Sequence, residues 1–322
     1  LINLPLIVYW MIVADFRIKK NILIWMTAAL AFCACSSSEN NGDEGEIDPP
    51  SPHAVPIKIS TTMESVDGTR ATDYGFEAGD RIGLFVVNHN ADGTPGTLQP
   101  VGNHVDNMRF TYSGTWTPDE QIYWKDETTH ADFYLYYPYT PSLTSVNAMP
   151  FSTMANQSNT SDYKASDLLV GITKDVAPTE AAVGITASHV MSQMLINLAA
   201  GNGFTDESLA AASVSVKING IKTQATVDLA TKAVTPTGTA TSITPLKENG
   251  SYKAIIVPQT VAQGNLVTVT VDGRDYNLQK AFTFESGKRH KFTVTLSKTS
   301  NGINVDIDDW EDDGTDNGGT AE

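Results

Sequence analysis

The sequence predicts an all-β protein with two β-sandwich domains in tandem. Three observations carry that prediction. Short apolar or alternating runs recur along the chain, each closed by Gly, Asn, Asp or Pro. Thr, Ser, Val, Gly and Asn are abundant, and long Leu, Glu and Lys stretches with helical spacing are missing. The runs fall into two sets on either side of Gly201–Gly203, as two sandwiches would require.

The expected strands follow in order. Ile57-Lys58-Ile59-Ser60 alternates. Arg81 to Val87 is mostly apolar and suits a buried strand. Met108, Phe110 and Tyr112 alternate before the turn at Gly114. Ile122 to Trp124 and Ala131 to Tyr137 read as further strands, the second stopped by Pro138. Residues 141–166 read as loop. Asp167 to Gly171 is a short strand, and His189 to Leu198 is read as one continuous strand. Beyond Gly203 the expected strands are 212–218, 225–230, 254–258, 266–271, 281–284 and 290–296, then alternating Ile303, Val305 and Ile307. Thr205 to Ala212 is the only expected helical turn. The expected organisation is a signal segment over 1–35, a tether over 36–56, sandwiches over 57–202 and 203–310, and a disordered acidic tail over 311–322.

The N-terminal segment reads as an export signal. Arg17, Lys19 and Lys20 precede the apolar run Asn21–Cys35, which ends in small residues. The run is shorter than the roughly 20 residues a membrane span needs. Residues 1–10 precede Met11, and the reading takes Met11 as the start and 1–10 as an over-extended gene call. The alternative, a membrane anchor extended by those residues, is interrupted by Asp15, Arg17, Lys19 and Lys20. Cys35 follows Ala34 and precedes Ser36-Ser37-Ser38-Glu39, in the manner of a bacterial lipoprotein whose first mature residue carries lipid. Cys33 competes less well, because bulky Phe32 stands directly before it. Acyl chains on Cys35 would hold the protein on a membrane, each buried methylene adding about 0.8 kcal/mol. Residues 36–56 are acidic, then proline-rich, and read as a solvated tether.

Signals for chemistry are weak. Six histidines (53, 89, 104, 130, 189 and 290) are scattered, with no pair at metal-ligand spacing. There is no G-x-S-x-G and no phosphate-binding glycine loop. No catalytic residue, cofactor or metal is assigned, and no enzyme activity is expected. Asp309, Glu311, Asp313 and Gly314 imitate part of a calcium loop, but Thr320 stands where the closing acid belongs and no helix flanks it. The sequons at Asn156 and Asn159 carry no argument. Trp116, Tyr123, Trp124, Phe133, Tyr134, Tyr136 and Tyr137 suit either a core or a sugar-stacking platform, with the core preferred for most.

A family resemblance rests on several segments in order. They are Asp67 to Val86, Ile122-Tyr-Trp124, Asp132 to Tyr139, Asp167-Leu-Leu169, His189 to Met194, Lys291 to Leu296 and Ile307-Asp-Asp-Trp310. Together, behind a lipoprotein signal, they resemble the fimbrillin family of type V pilins and related surface lipoproteins, in its Mfa-like branch. The resemblance implies transthyretin-like sandwiches. It also implies attachment to the outer membrane through lipid, and cleavage by a trypsin-like, arginine-specific protease, here at Arg70–Ala71. Removal of the first strand would open a groove for a strand of another pilin subunit, placing the processed protein in a fimbrium. The physics agrees, since an unpaired strand edge beside apolar pockets is satisfied by β-augmentation. After Trp310 the chain lacks apolar alternation, which favours a tip or accessory subunit in adhesion over a shaft subunit. The alternative is a carbohydrate-binding surface lipoprotein of a glycan-uptake system; a β-sandwich glycoside hydrolase has no specific motif to support it.

Charge agrees with this picture. The formal net charge of −16 argues against a nucleic-acid partner, which would need a basic face. Residues 49–305 carry 23 acids against 18 bases, a net of −5. Most of the excess sits on the tether and on the stretch after Val305.

Overall fold

A computed structural model describes residues 54–64 and 75–298, and the backbone strands at 305–307, 315–316 and 319–321. Cys35, the tether up to His53, Arg70, Ala71 and the Asp309–Gly314 segment lie outside the described residues.

The fold is all-β. The first half holds β1 (Ile59–Met63), β2 (Arg81–Asn88), β3 (Val105–Tyr112), β4 (Trp116–Pro118), β5 (Ala131–Tyr137), β6 (Met149–Ser152), β7 (Leu169–Val176) and β8 (Val183–His189), with a short helix α1 (Thr160–Ala165). The second half holds β9 (Ser192–Ala200), α2 (Asp206–Ala211), β10 (Val214–Val227), β11 (Val234–Ile243), β12 (Leu246–Glu248) and β13 (Ser251–Ile256). It continues with β14 (Gln259–Val261), β15 (Asn265–Val271), β16 (Arg274–Gln279), β17 (Phe282–Phe284) and β18 (Arg289–Leu296). Three short strands follow: β19 (Val305–Ile307), β20 (Thr315–Asp316) and β21 (Gly319–Ala321).

One seven-stranded sheet has the order β1-β8-β7-β5-β2-β3-β4. Its central strands explain the unbroken apolar runs. Alternate residues of a strand face opposite sides. Ile82, Leu84 and Val86 of β2, with Phe133 and Leu135 of β5, enter one core. Phe85 and Val87, with Tyr134 and Tyr136, enter another. Both faces are dry, so no polar alternation survives. The sheet curls until its two edges meet, and Trp116 Nε1 on β4 donates to Thr61 Oγ1 on β1 at 2.9 Å.

The second sandwich places β11-β10-β15-β16 against β12-β13-β9-β18-β21. Val216, Ile218, Val267, Val269, Tyr276 and Leu278 from one sheet meet Met194, Ile196, Ala254, Ile256, Phe292 and Val294 from the other. The core formed by the far face of the first sheet also takes Ala225 and Val227 from β10, Ile255 from β13 and Val257 just after it. One apolar core is therefore shared between the two halves.

Four expectations need correction. The run 189–198 is two strands: β8 ends at His189 and β9 starts at Ser192. Val190 and Met191 between them are buried in the shared core, which turns the chain from one sandwich into the other. β9 pairs with β13 and, in parallel, with β18, so strand pairing divides the chain before Ser192 rather than after residue 202. The loop expected over 141–166 contains α1 and also β6, which crosses over to pair with β10. Asn159 caps α1, its side chain accepting from the Asp162 N–H at 2.9 Å. Finally, the segment expected as a disordered tail includes β21, which pairs in parallel with β18. Backbone pairing at an open sheet edge requires no apolar alternation, so the sequence there does not advertise it. The expected helical turn is present as α2, started by a capping box between Thr205 and Ser208.

Candidate functional site

The candidate site is the first strand and the groove it fills. Residues 57–64 alternate strictly. Ile57 and Ile59 are 1% and 6% exposed, and Val55 and Met63 pack against the same core. Lys58, Ser60, Thr62 and Glu64 face solvent. Period-2 alternation on an edge strand lets it cover an apolar core and still meet water.

Two sets of backbone bonds hold it. Beyond the closed sheet edge, the Ile57 N–H donates to Ile122 O and the Trp124 N–H to Val55 O, both at 2.9 Å. On the other side β1 runs parallel to β8, with Ile59 opposite Val183 and Met63 opposite Ala187. The Val183 N–H donates to Lys58 O at 2.8 Å and the Glu64 N–H to Ala187 O at 2.9 Å. The expected strand at Ile122–Trp124 is thus only a bridge across Pro56 and Tyr123, and it serves as the groove's second wall.

Aromatic side chains floor the groove. Phe76, next to Gly75 where the described chain resumes after β1, contacts the rings of Tyr112, Trp116 and Tyr137 at centroid distances of 6.3, 4.9 and 5.6 Å. A cavity of about 20 Å³ remains between Met63, Phe76, Tyr137 and Leu169. Burial, then the neighbouring Asp80 carboxylate, raises the Tyr137 phenol well above its ordinary pKa. It therefore stays protonated and donates to Asp80 Oδ1 at 3.1 Å.

The seven aromatics singled out in the sequence are core or half-buried. Trp116, Trp124, Phe133, Tyr134 and Tyr136 are buried, and Tyr123 and Tyr137 are half-covered. None of the seven is fully exposed. Sequence reasoning found the first strand through its alternation but missed its parallel pairing with β8. It also missed the approach of His89 to His130, 6.1 Å apart between ring centroids. Parallel partners and loop neighbours distant in sequence leave no periodic signal.

The Trp116–Thr61 bond joins the sheet's two edges through side chains alone. Replacing Trp116 by Phe is expected to cost about 1 kcal/mol beyond the lost area, because a donor disappears from a closed seam. A double-mutant cycle with Thr61→Val in urea checks this. A coupling energy of zero would show that the seam is held by backbone and packing alone.

Comparison with known proteins now bears on this architecture. The sequence pattern described as Fimbrillin-like matches residues 69–310. The chain belongs to that family. A candidate fimbrium subunit, Fim1C, of Bacteroides uniformis is 26% identical over 305 residues, covering 91% of this chain and 95% of that protein. A candidate fimbrium tip subunit of Bacteroides ovatus is 28% identical over 131 residues, covering 39% of this chain and 22% of that protein. The crystal structure of a candidate cell adhesion protein from Bacteroides uniformis shares the fold. It has a TM-score of 0.59 at 24% identity, over 78% of this chain and 95% of that one.

Proposed function

We propose that this chain is a cell-surface fimbrial subunit of tip or accessory type, acting in adhesion and assembled by strand exchange. It is made with lipid on Cys35 at the outer membrane. A trypsin-like, arginine-specific protease then cuts Arg70–Ala71, and another subunit's strand replaces β1. The single observation carrying this reading is the position of the first strand. It lies at a sheet edge, it covers a buried aromatic and aliphatic groove, and it is the last described element before the segment 65–74 that contains Arg70. Among the described residues, its departure breaks only the backbone ladder with β8 and the backbone bonds to Ile122 and Trp124. The likeness to a named tip subunit supports the tip or accessory role. The buried state of the aromatic cluster speaks against the glycan-uptake alternative.

Limited proteolysis of the full chain tests the trigger. A trypsin-like protease is expected to cut first at Arg70–Ala71 and leave residues 75–298 folded. Mass spectrometry of the first product and its circular dichroism read both outcomes. Early cutting elsewhere, with Arg70–Ala71 intact, would sink the proposal.

A further inference from the structure

The groove under β1 carries one polar contact able to select among incoming strands, an inference that rests on the strand-exchange reading. The inward face of β1 presents Ile57, Ile59, Thr61 and Met63 in turn. The three apolar side chains join the core that also takes Val183, Ile185 and Ala187 of β8. Thr61 is the one polar residue of the four, and it is half-buried. A hydroxyl set among apolar side chains needs a partner, because covering it without one is costly. That partner is the Trp116 indole, whose Nε1 donates to Thr61 Oγ1 at 2.9 Å.

The indole is held in place. Trp116 is buried. Its ring centroid lies 4.9 Å from that of Phe76, edge to face, and 5.0 Å from that of Tyr112. Its backbone is fixed opposite Tyr112 in the ladder of β3 with β4. The N–H therefore points at one place in the groove, and an indole nitrogen can only donate. The other indole beside the groove differs. Trp124 Nε1 donates to Thr179 O at 3.1 Å, in the part of the fold that stays when β1 leaves. Departure of β1 leaves Trp124 bonded and removes the acceptor of Trp116.

Other contacts of β1 read side chains less strictly. The ladder with β8 and the bonds to Ile122 and Trp124 use backbone groups, which every residue but proline offers. Thr62 Oγ1 lies 3.1 Å from Thr186 Oγ1 at exposed positions, where water can take its place. The sites of Ile57 and Ile59 accept aliphatic residues of similar volume. Apolar pockets discriminate poorly between similar side chains, whereas a covered donor rejects a partner that lacks the acceptor.

We propose that Trp116 is a specificity-determining residue of the groove. It selects an incoming strand that runs parallel to β8 and carries Ser or Thr in the place of Thr61, two residues beyond the second buried aliphatic side chain. A strand with Val there fills the same space and leaves the indole donor unpaired.

Peptide exchange tests the selection. A site-specific protease sequence is placed within residues 65–74 of the full chain and cut, so that β1 is held by non-covalent contacts alone. Fluorescent peptides spanning residues 54–64 are added in excess, and anisotropy reads their affinity. The natural peptide and Thr61→Ser are expected to bind alike. Thr61→Val is expected to bind at least about fivefold more weakly, the lower end of the cost of a covered donor left unpaired. In the cut chain carrying Trp116→Phe, the natural and Thr61→Val peptides are expected to bind alike. Equal binding of those two peptides to the unaltered groove overturns selection by Trp116 and leaves strand exchange standing. Discrimination that persists in Trp116→Phe also overturns it. Entry of no peptide overturns strand exchange itself, and this selection with it. If Trp116→Phe fails to fold, Thr61→Val against Thr61→Ser on the unaltered groove still decides.

Discussion

A chain shortened to begin at Ala71 is expected to unfold at a much lower urea concentration than the chain that retains residues 54–70. The strand it loses buries Ile57 and Ile59 almost completely. Burying an aliphatic side chain of that size contributes roughly 1.5–3 kcal/mol. The two together account for about 5 kcal/mol, before Val55, Met63 or the broken ladder with β8 is counted. Domains are stable by only about 5–15 kcal/mol, so the first half of the shortened chain should be marginal. A synthetic peptide spanning residues 54–64 should restore the urea midpoint when added in excess. A ligand at 100 times its dissociation constant returns about 2.7 kcal/mol. The same peptide carrying Ile57→Asp and Ile59→Asp should restore nothing, because it places carboxylates in the groove. Rescue by both peptides would mean that backbone pairing alone fills the edge. Equal stability with and without residues 54–70 would remove the physical basis of strand exchange.

This prediction also shows how much the sequence disclosed. Ile57-Lys58-Ile59-Ser60 alternates, so the inward face of the strand was legible from residues alone. Its partner was not. A parallel neighbour such as β8, more than 100 residues later, is chosen by closure of the whole sheet. The central strands β2 and β5 were legible because burial on both faces leaves an unbroken apolar run. β11 was not, since its exposed residues, rich in Thr, match neither a core strand nor an amphipathic one. β10 hid for a different reason. The expected strands stop at 218 and resume at 225, but Asn219-Gly220 is a bulge with Gly220 at φ 74°, and the strand continues from one core into the next. The histidine pair was hidden by distance along the chain. His89 and His130 lie in separate connections, and only the pairing of β2 with β5 brings them together.

The same two central strands give the second large expected effect. Gly83 sits in the middle of β2, opposite Tyr136 of β5. A Cβ at Gly83 would lie 2.2 Å from Tyr136 Cε1 and 2.6 Å from Asn107 Oδ1. Neither neighbour can retreat freely. The Tyr136 hydroxyl donates to Asn107 Oδ1 at 2.7 Å and also contacts Thr140 O at 3.0 Å, and the ring is 1% exposed. Burial raises its pKa to about 12, so this donor persists across the whole neutral range. Gly83→Ala must then displace a ring packed in the core shared by the two halves. Overpacking of this kind costs about 3 kcal/mol at its upper range. Gly75→Ala is the matched control, since a Cβ there meets nothing within 4 Å. It should leave stability unchanged or raise it slightly through the unfolded chain. Urea midpoints of the two variants check the contrast. Because Tyr136 faces the core joined by Ala225, Val227 and Ile255, Gly83→Ala should also lower the stability of the second sandwich. Hydrogen exchange at β10 and β13 should rise with that at β5. Exchange that rises only in β2 and β5 would show that the two halves, despite sharing a core, unfold separately.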